Sequence, residues 1–307
     1  MRIGFGAPVS GAWAGPETLA TFAERGERLG YDSLWTFSRL VSPADAGKVA
    51  AVYRSVLDPV VSLAFVAART SRIRLGIAVA NLPFVSPAIL AKQASTLDVL
   101  SGGRLDLGLG TGWLQEEFTV SGASTARRGA RAEEYLAVLR TLWVDEVSRF
   151  DGEFYTVAPS RMAPKPIQRA GPPVLLGGAV HAALERAGRL AAGWVSRSAT
   201  DLSRIGEQVA VVREAAHRAG RDPAAIRIVC RGVLRPGPPV TGEDGRRALL
   251  SGSFERIRED AEWLGTQGVT ELFYDLNWDP LIVSPEIDAS TATARAEEIL
   301  EALAPNA

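Results

Sequence analysis

Two rhythms of apolar residues alternate along the chain. Short β-branched and leucine-rich runs mark strands: "RIGFGAP" from Arg2, "DSLWTF" from Asp32, "IRLGIAVA" from Ile73, "RLDLGLG" from Arg104, "PVLLGG" from Pro173, "GWVSRS" from Gly193, "IRIVCRGVL" from Ile226 and "TELFYDL" from Thr270. Longer stretches with a 3.6-residue period lie between them and predict amphipathic helices. In residues 16–30, Leu19, Phe22, Ala23, Gly26 and Leu29 share one face, and Glu24, Arg25, Glu27 and Arg28 share the other. Pro16 suits the first helical turn and Gly30 the stop.

Eight strand–helix units in 307 residues is the count of a TIM-like (β/α)8 barrel, an α/β fold, here expected as a single domain over 1–307. A doubly wound sheet is the rival, but no dinucleotide fingerprint follows the first strand. Irregular stretches fall at 38–57, 111–125, 144–172 and 235–250. The third contains "RFDGEFYTV", which alternates around Asp151-Gly152 and predicts a hairpin, an insertion after the fourth βα unit. Barrels of this kind carry function at the C-terminal ends of their strands.

Composition narrows the chemistry. The chain is 47% hydrophobic and 22% charged with net charge -1, and no run of one sign points to nucleic acid or a membrane surface. Cys230 is the single cysteine, so no intrachain disulfide forms and a reducing, cytoplasmic setting is expected. Residues 1–11 read as a strand and a glycine turn rather than a signal peptide, and no apolar run is long enough to span a bilayer. His181 and His217 are the only histidines, which excludes a His-rich metal site.

One stretch suggests a ligand directly. In "VLLGGAVHAALERAG", Gly177 and Gly178 lead from a strand into a helix. Free N–H groups and the helix dipole favour an anion there, and glycine lets it approach the backbone. A plain turn is the alternative reading.

Several segments in order resemble the luciferase-like flavin and deazaflavin oxidoreductases: "LGYDSLW", "SRIRLGIAV", "SPAILAKQASTLDVLSGGRLDLGLGTGWLQEEF", "RMAPKPIQRAGPPVLLGG" and "AGRLAAGW". The resemblance runs from residue 1 to about 304, and "GTGWLQEEF" is most similar to the branch that uses coenzyme F420. It implies a cofactor, F420 or alternatively FMN, at the barrel top, partly covered by the insertion. It implies that Gly177, Gly178 and Ala179 receive the cofactor phosphate. It further implies that Ala78 and Val79 form a bulge, with a non-prolyl cis peptide, against the cofactor ring. Thr111 and Gly112 would meet the ring's polar edge, and Trp113 would stack on substrate or cofactor, or pack as a lid residue on the insertion. Glu116 and Glu117 read as solvated charges opening the next helix.

The chain departs from this family after the second strand. Ser38 and Arg39 stand where related deazaflavin enzymes often carry an Asp-His pair, which puts alcohol oxidation in doubt. Arg39 is a poor base but suits a carboxylate, phosphate or enolate oxygen, or an ion pair at the rim. Ser38 and Asp275 complete the candidate catalytic set, with Asp275 an acid, a substrate ligand or a turn cap. Tyr53 and Trp13 join Trp113 as candidate substrate contacts, and Tyr53 has a packing alternative. The expected activity is hydride transfer from reduced F420 to an activated C=C or C=N bond of a small-molecule or peptide-borne substrate, by a homodimer without nucleic-acid or membrane partners. An FMN monooxygenase working with a separate flavin reductase and a non-catalytic cofactor-binding paralogue are the alternatives.

Overall fold

The computed structural model describes residues 1–242, 245–284 and 286–305; residues 243 and 244, within the irregular stretch 235–250, lie outside the described residues. Each expected strand forms and joins a closed parallel barrel: β1 (Arg2–Gly6), β2 (Ser33–Thr36), β3 (Arg74–Asn81), β4 (Leu105–Gly110), β7 (Val174–Gly177), β8 (Gly193–Val195), β9 (Arg227–Val233) and β12 (Glu271–Asp275), with β12 closing onto β1. Helix α1 (Pro16–Arg28) buries Leu19, Phe22, Ala23 and Gly26, the face its periodicity marks. Two short strands, β10 (Arg235–Pro236) and β11 (Ser251–Gly252), pair outside the barrel. No described helix is long and apolar enough to cross a membrane.

Strand alternation stacks the barrel interior in layers. On β9 the inward residues are Arg227, Val229 and Arg231; on β12 they are Glu271, Phe273 and Asp275. The middle layer is an apolar plug of Trp35, Leu175, Val195, Val229 and Phe273, with Trp35 stacked on Phe273 at 5.3 Å. Beneath it Asp106 receives Arg74 at 2.7 Å and Arg227 at 2.5 Å. Glu271 receives Arg227 at 3.0 Å and Ser33 at 2.6 Å. Burial pushes the Asp106 carboxyl up, but the two guanidiniums outweigh it and hold the group below the usual carboxylate range. Above the plug, Arg231 and Asp275 form a second ion pair. Cys230 points outward into the apolar shell, where burial pushes its thiol up to about 12, and it is chemically quiet.

The insertion begins after α5 (Arg128–Val144). Strands β5 (Ser148–Asp151) and β6 (Thr156–Ser160) form the expected antiparallel hairpin, closed where Gly152 N–H donates to Tyr155 O at 3.0 Å. Glu134 of α5 accepts the backbone N–H groups of Glu153 and Phe154 at 2.9 and 2.8 Å. The segment that follows runs along α3 (Pro87–Leu100), where Ser95 donates to Pro164 O at 2.5 Å and Asp98 accepts Gln168 N–H at 2.9 Å.

Candidate active site

A cavity of about 400 Å³ opens at the C-terminal ends of the barrel strands, within the range of roughly 300–1,000 Å³ usual for small-molecule and cofactor sites. Its first wall is β3. The pairing of β3 with β4 shifts register between Ile77 and Ala80, and the Ala78–Val79 peptide is cis. The bulge that the resemblance implies is therefore present, and both residues line the cavity. Neighbouring β4 accommodates it with glycine. A Cβ at Gly108 would lie 2.0 Å from the Ile77 carbonyl oxygen, and one at Gly110 2.7 Å from Val79 Cγ2. The bulge is held on its two carbonyls: Arg231 Nη1 donates to Ala78 O at 3.3 Å, and Ser38 Oγ donates to Val79 O at 2.7 Å. Ser38 thus fixes backbone that faces the cavity.

The glycine pair lies on the same side, one strand beyond β4. Gly177 ends β7, and Gly178, at φ +130°, turns the chain toward α6 (His181–Leu190). Only glycine adopts that conformation readily. Trp194 Nε1 donates to Gly178 O at 2.7 Å and fixes the turn. No side chain caps α6, so its first N–H groups remain available to an anion. Gly177 and Gly178 line the cavity; Ala179 stands next to them outside its wall. His181 is exposed and faces Glu185.

Thr111, Gly112 and Trp113 form the β4 rim, and Trp113 is 59% exposed at the mouth. Tyr53 lies in the wall with edge-to-face contacts to Trp113 and Trp278, and its hydroxyl is 3.5 Å from Ser198 Oγ. Arg39 stacks on both aromatic residues, 4.6 Å from the Tyr53 ring and 4.8 Å from that of Trp113.

Three sequence expectations need correction. Glu117 is not a solvated charge. It is 1% exposed, and accepts Arg39 Nη1 and Leu40 N–H, each at 2.7 Å. Burial pushes its carboxyl up, against the lowering effects of the Leu40 N–H and Arg39. Arg39 is therefore already neutralised by a protein carboxylate. Trp13 is 1% exposed and packs edge-on against Phe22 in the shell between barrel and helices, so its apolar bulk went to the core rather than to the substrate. No residue of 144–172 lines the cavity, because the hairpin is tied down on the outer helices.

Asp275 also stands apart from the cavity wall, behind Arg231. Its Oδ2 accepts Arg231 Nε at 2.7 Å, and its Oδ1 accepts Asn277 Nδ2 at 3.1 Å. Arg231 lines the cavity with its guanidinium 4.8 Å from the Phe37 ring. Arg231, Ser198, Trp278 and the Glu117 partnership were not anticipated. For Arg231 the signal was present: a charged residue in the apolar run "IRIVCRGVL" on the inward-facing register.

Comparison with known proteins agrees with this architecture. The family model described as luciferase-like monooxygenase matches residues 4–259. An uncharacterised protein of Mycobacterium tuberculosis is 41% identical over 213 residues, 68% of this chain and 74% of that protein. An F420-dependent glucose-6-phosphate dehydrogenase of Amycolatopsis mediterranei is 30% identical over 64% of this chain and 58% of its own length. An FMNH2-dependent dimethylsulfone monooxygenase of Pseudomonas putida is 32% identical over 48% of this chain and 40% of its own. Among solved structures, the coenzyme F420-dependent tetrahydromethanopterin reductase of Methanopyrus kandleri superposes with a TM-score of 0.78 at 17% identity, covering 100% of this chain and 98% of that one. This chain belongs to the luciferase-like monooxygenase family.

Proposed function

We propose that this protein is an F420-dependent oxidoreductase that reduces an activated C=C or C=N bond. The observation that carries the direction is the state of the acid–base groups around the cavity. No histidine lines it, and Glu117 and Asp275, the carboxylates paired with its lining residues Arg39 and Arg231, are each committed to that arginine. Oxidising an alcohol requires a base to take the hydroxyl proton. Reduction requires a hydride, a held negative charge and a proton donor, and the cavity offers guanidinium groups and the Tyr53 hydroxyl.

The residues present fit a flat ring with a phosphorylated side chain. Val79 and Ala78 supply an apolar bulged face, Gly110 and Gly177 keep that face clear, and the uncapped α6 N-terminus suits a phosphate. When bound, the deazaflavin supplies the hydride. Ser38 holds the backbone of the bulged face through Val79 O. Arg39, paired with Glu117, packs against the touching rings of Tyr53 and Trp113, and together they shape the mouth and present aromatic surface to a substrate. The Tyr53 hydroxyl, 3.5 Å from Ser198 Oγ, is the cavity's candidate proton donor to the reduced product.

The "GTGWLQEEF" stretch and the dehydrogenase relative favour F420; the monooxygenase relative keeps FMN as the second reading. Titration of the purified protein with F420 and with FMN, read by fluorescence, separates them. Tighter binding of F420, and oxidation of reduced F420 by unsaturated substrates without oxygen, is the expected result. Tighter FMN binding with oxygen-dependent turnover would replace this reading with a monooxygenase.

A further inference from the structure

Building on the hydride-transfer reading, we infer that Arg197 is a specificity-determining residue, and that it takes a carboxylate which the substrate carries away from its reducible bond. The charged residues that line the cavity are all arginines: Arg39, Arg197 and Arg231. Two of them are already paired, Arg39 with Glu117 at 2.7 Å and Arg231 with Asp275 at 2.6 Å. Arg197 is not. Among the described residues its guanidinium has no hydrogen bond, ion pair or ring contact. Its backbone, by contrast, is held on both sides. Arg197 N–H donates to Thr200 Oγ1 at 3.0 Å, and Thr200 N–H donates back to Arg197 O at 3.1 Å. A fixed stem therefore presents a free cation at the cavity wall.

Charge and shape name the ligand. Arginine stays protonated at any working pH and only donates, so its partner is an acceptor. With the other two arginines neutralised and no carboxylate in the wall, Arg197 leaves the cavity one uncompensated positive charge. A single carboxylate balances that charge, and its two oxygens match the guanidinium fork. A phosphate dianion would call for a second free cation, and the described wall holds none. Position points to the substrate rather than the cofactor. Arg197 follows β8, three strands round the barrel from the β3 bulge. The next residue, Ser198, lies 3.5 Å from the Tyr53 hydroxyl, and Tyr53 packs against Trp113 and Trp278. Arg197 thus borders the aromatic mouth. A carboxylate held there orients the substrate from a point remote from the reacting bond.

3-Oxocyclohexane-1-carboxylate, which has no C=C bond to reduce, and its methyl ester test this by charge alone. Arg197 is exposed, so the effect is that of a solvent-screened ion pair. In calorimetry at low ionic strength, the F420-loaded protein should bind the acid about fivefold tighter than the ester. Added salt should shrink that advantage. Arg197→Gln should abolish it and leave F420 affinity unchanged. With reduced F420, kcat/KM for 3-oxocyclohex-1-ene-1-carboxylate should exceed that of its methyl ester by a similar factor, and the ratio should fall to about one in Arg197→Gln. No binding of either ligand, equal affinity for the two, or an advantage that survives in Arg197→Gln would overturn the assignment. So would a loss of F420 affinity matching the loss for the acid, which would give Arg197 to the cofactor phosphate. An Arg197-dependent preference for the acid in a protein that binds no F420 would leave Arg197 standing and sink the cofactor reading instead.

Discussion

At the level of single residues, the site turns on positions where one atom decides the outcome. Gly178 combines φ +130° with a neighbour, Ala183 Cβ, that would lie 2.7 Å from an added Cβ. It also leads into the positive end of α6. Gly178→Asp should weaken F420 binding at least about tenfold, since it strains the turn and places a negative charge against the phosphate. Unchanged affinity in a fluorescence titration would remove the phosphate from this turn. The glycine was legible in the sequence because a strand-to-helix turn with positive φ demands it locally. The Arg39–Glu117 pair was not, since its members are 78 residues apart and acidic residues in a first helical turn ordinarily face water. Arg39→Ala leaves a buried carboxylate alone and should cost about 3–5 kcal/mol. Arg39→Met/Glu117→Leu should restore most of that loss, and urea unfolding of the two variants gives the comparison. Equal stability of the single and double variants would show that the pair is not coupled.

Among the elements, β3 and β4 illustrate how much one strand owes to its neighbour. The sequence "RLDLGLG" announces a strand, and its glycines are a cost to a strand considered alone. Their reason appears only with the bulge: Gly108 leaves room for the Ile77 carbonyl. Gly108→Ala should therefore destabilise the protein by about 1–3 kcal/mol, and it should also weaken cofactor binding by displacing the bulge. A folded variant of full affinity would separate glycine from bulge. Beneath the apolar plug, Asp106 binds strands together through Arg74 and Arg227. Its folded pKa is depressed, so its contribution is present above the ordinary carboxylate range and fades as pH falls through it. Asp106→Asn should cost about 3–5 kcal/mol at neutral pH and should flatten the acid side of the stability curve. A curve of unchanged steepness in chemical unfolding at a series of pH values would assign the acid sensitivity elsewhere.

For the molecule as a whole, eight strands were legible because short β-branched and leucine-rich runs recur between helical stretches, and a closed barrel then places every strand end on one face. The position of the insertion was legible from a different signal, a local alternation around Asp151-Gly152. Its relation to the cavity was not, because that depends on where Glu134 and Asp98 seize its backbone. The hairpin is fastened to α5 and the following segment to α3, and none of it reaches the cavity wall. Ser148 and Ser160 face each other across β5 and β6, so residues 149–159 can be exchanged for an Asn-Gly turn without separating the strand ends. Loss of the Glu134 contacts should lower the melting temperature by roughly 1–2 °C, what 1 kcal/mol does in a domain of this size. F420 affinity should stay within about twofold, because every group proposed to meet the cofactor remains in place. A loss of tenfold or more, in a variant that still melts cooperatively, would mean that the hairpin leaves the outer helices and closes over the barrel once the cofactor is bound.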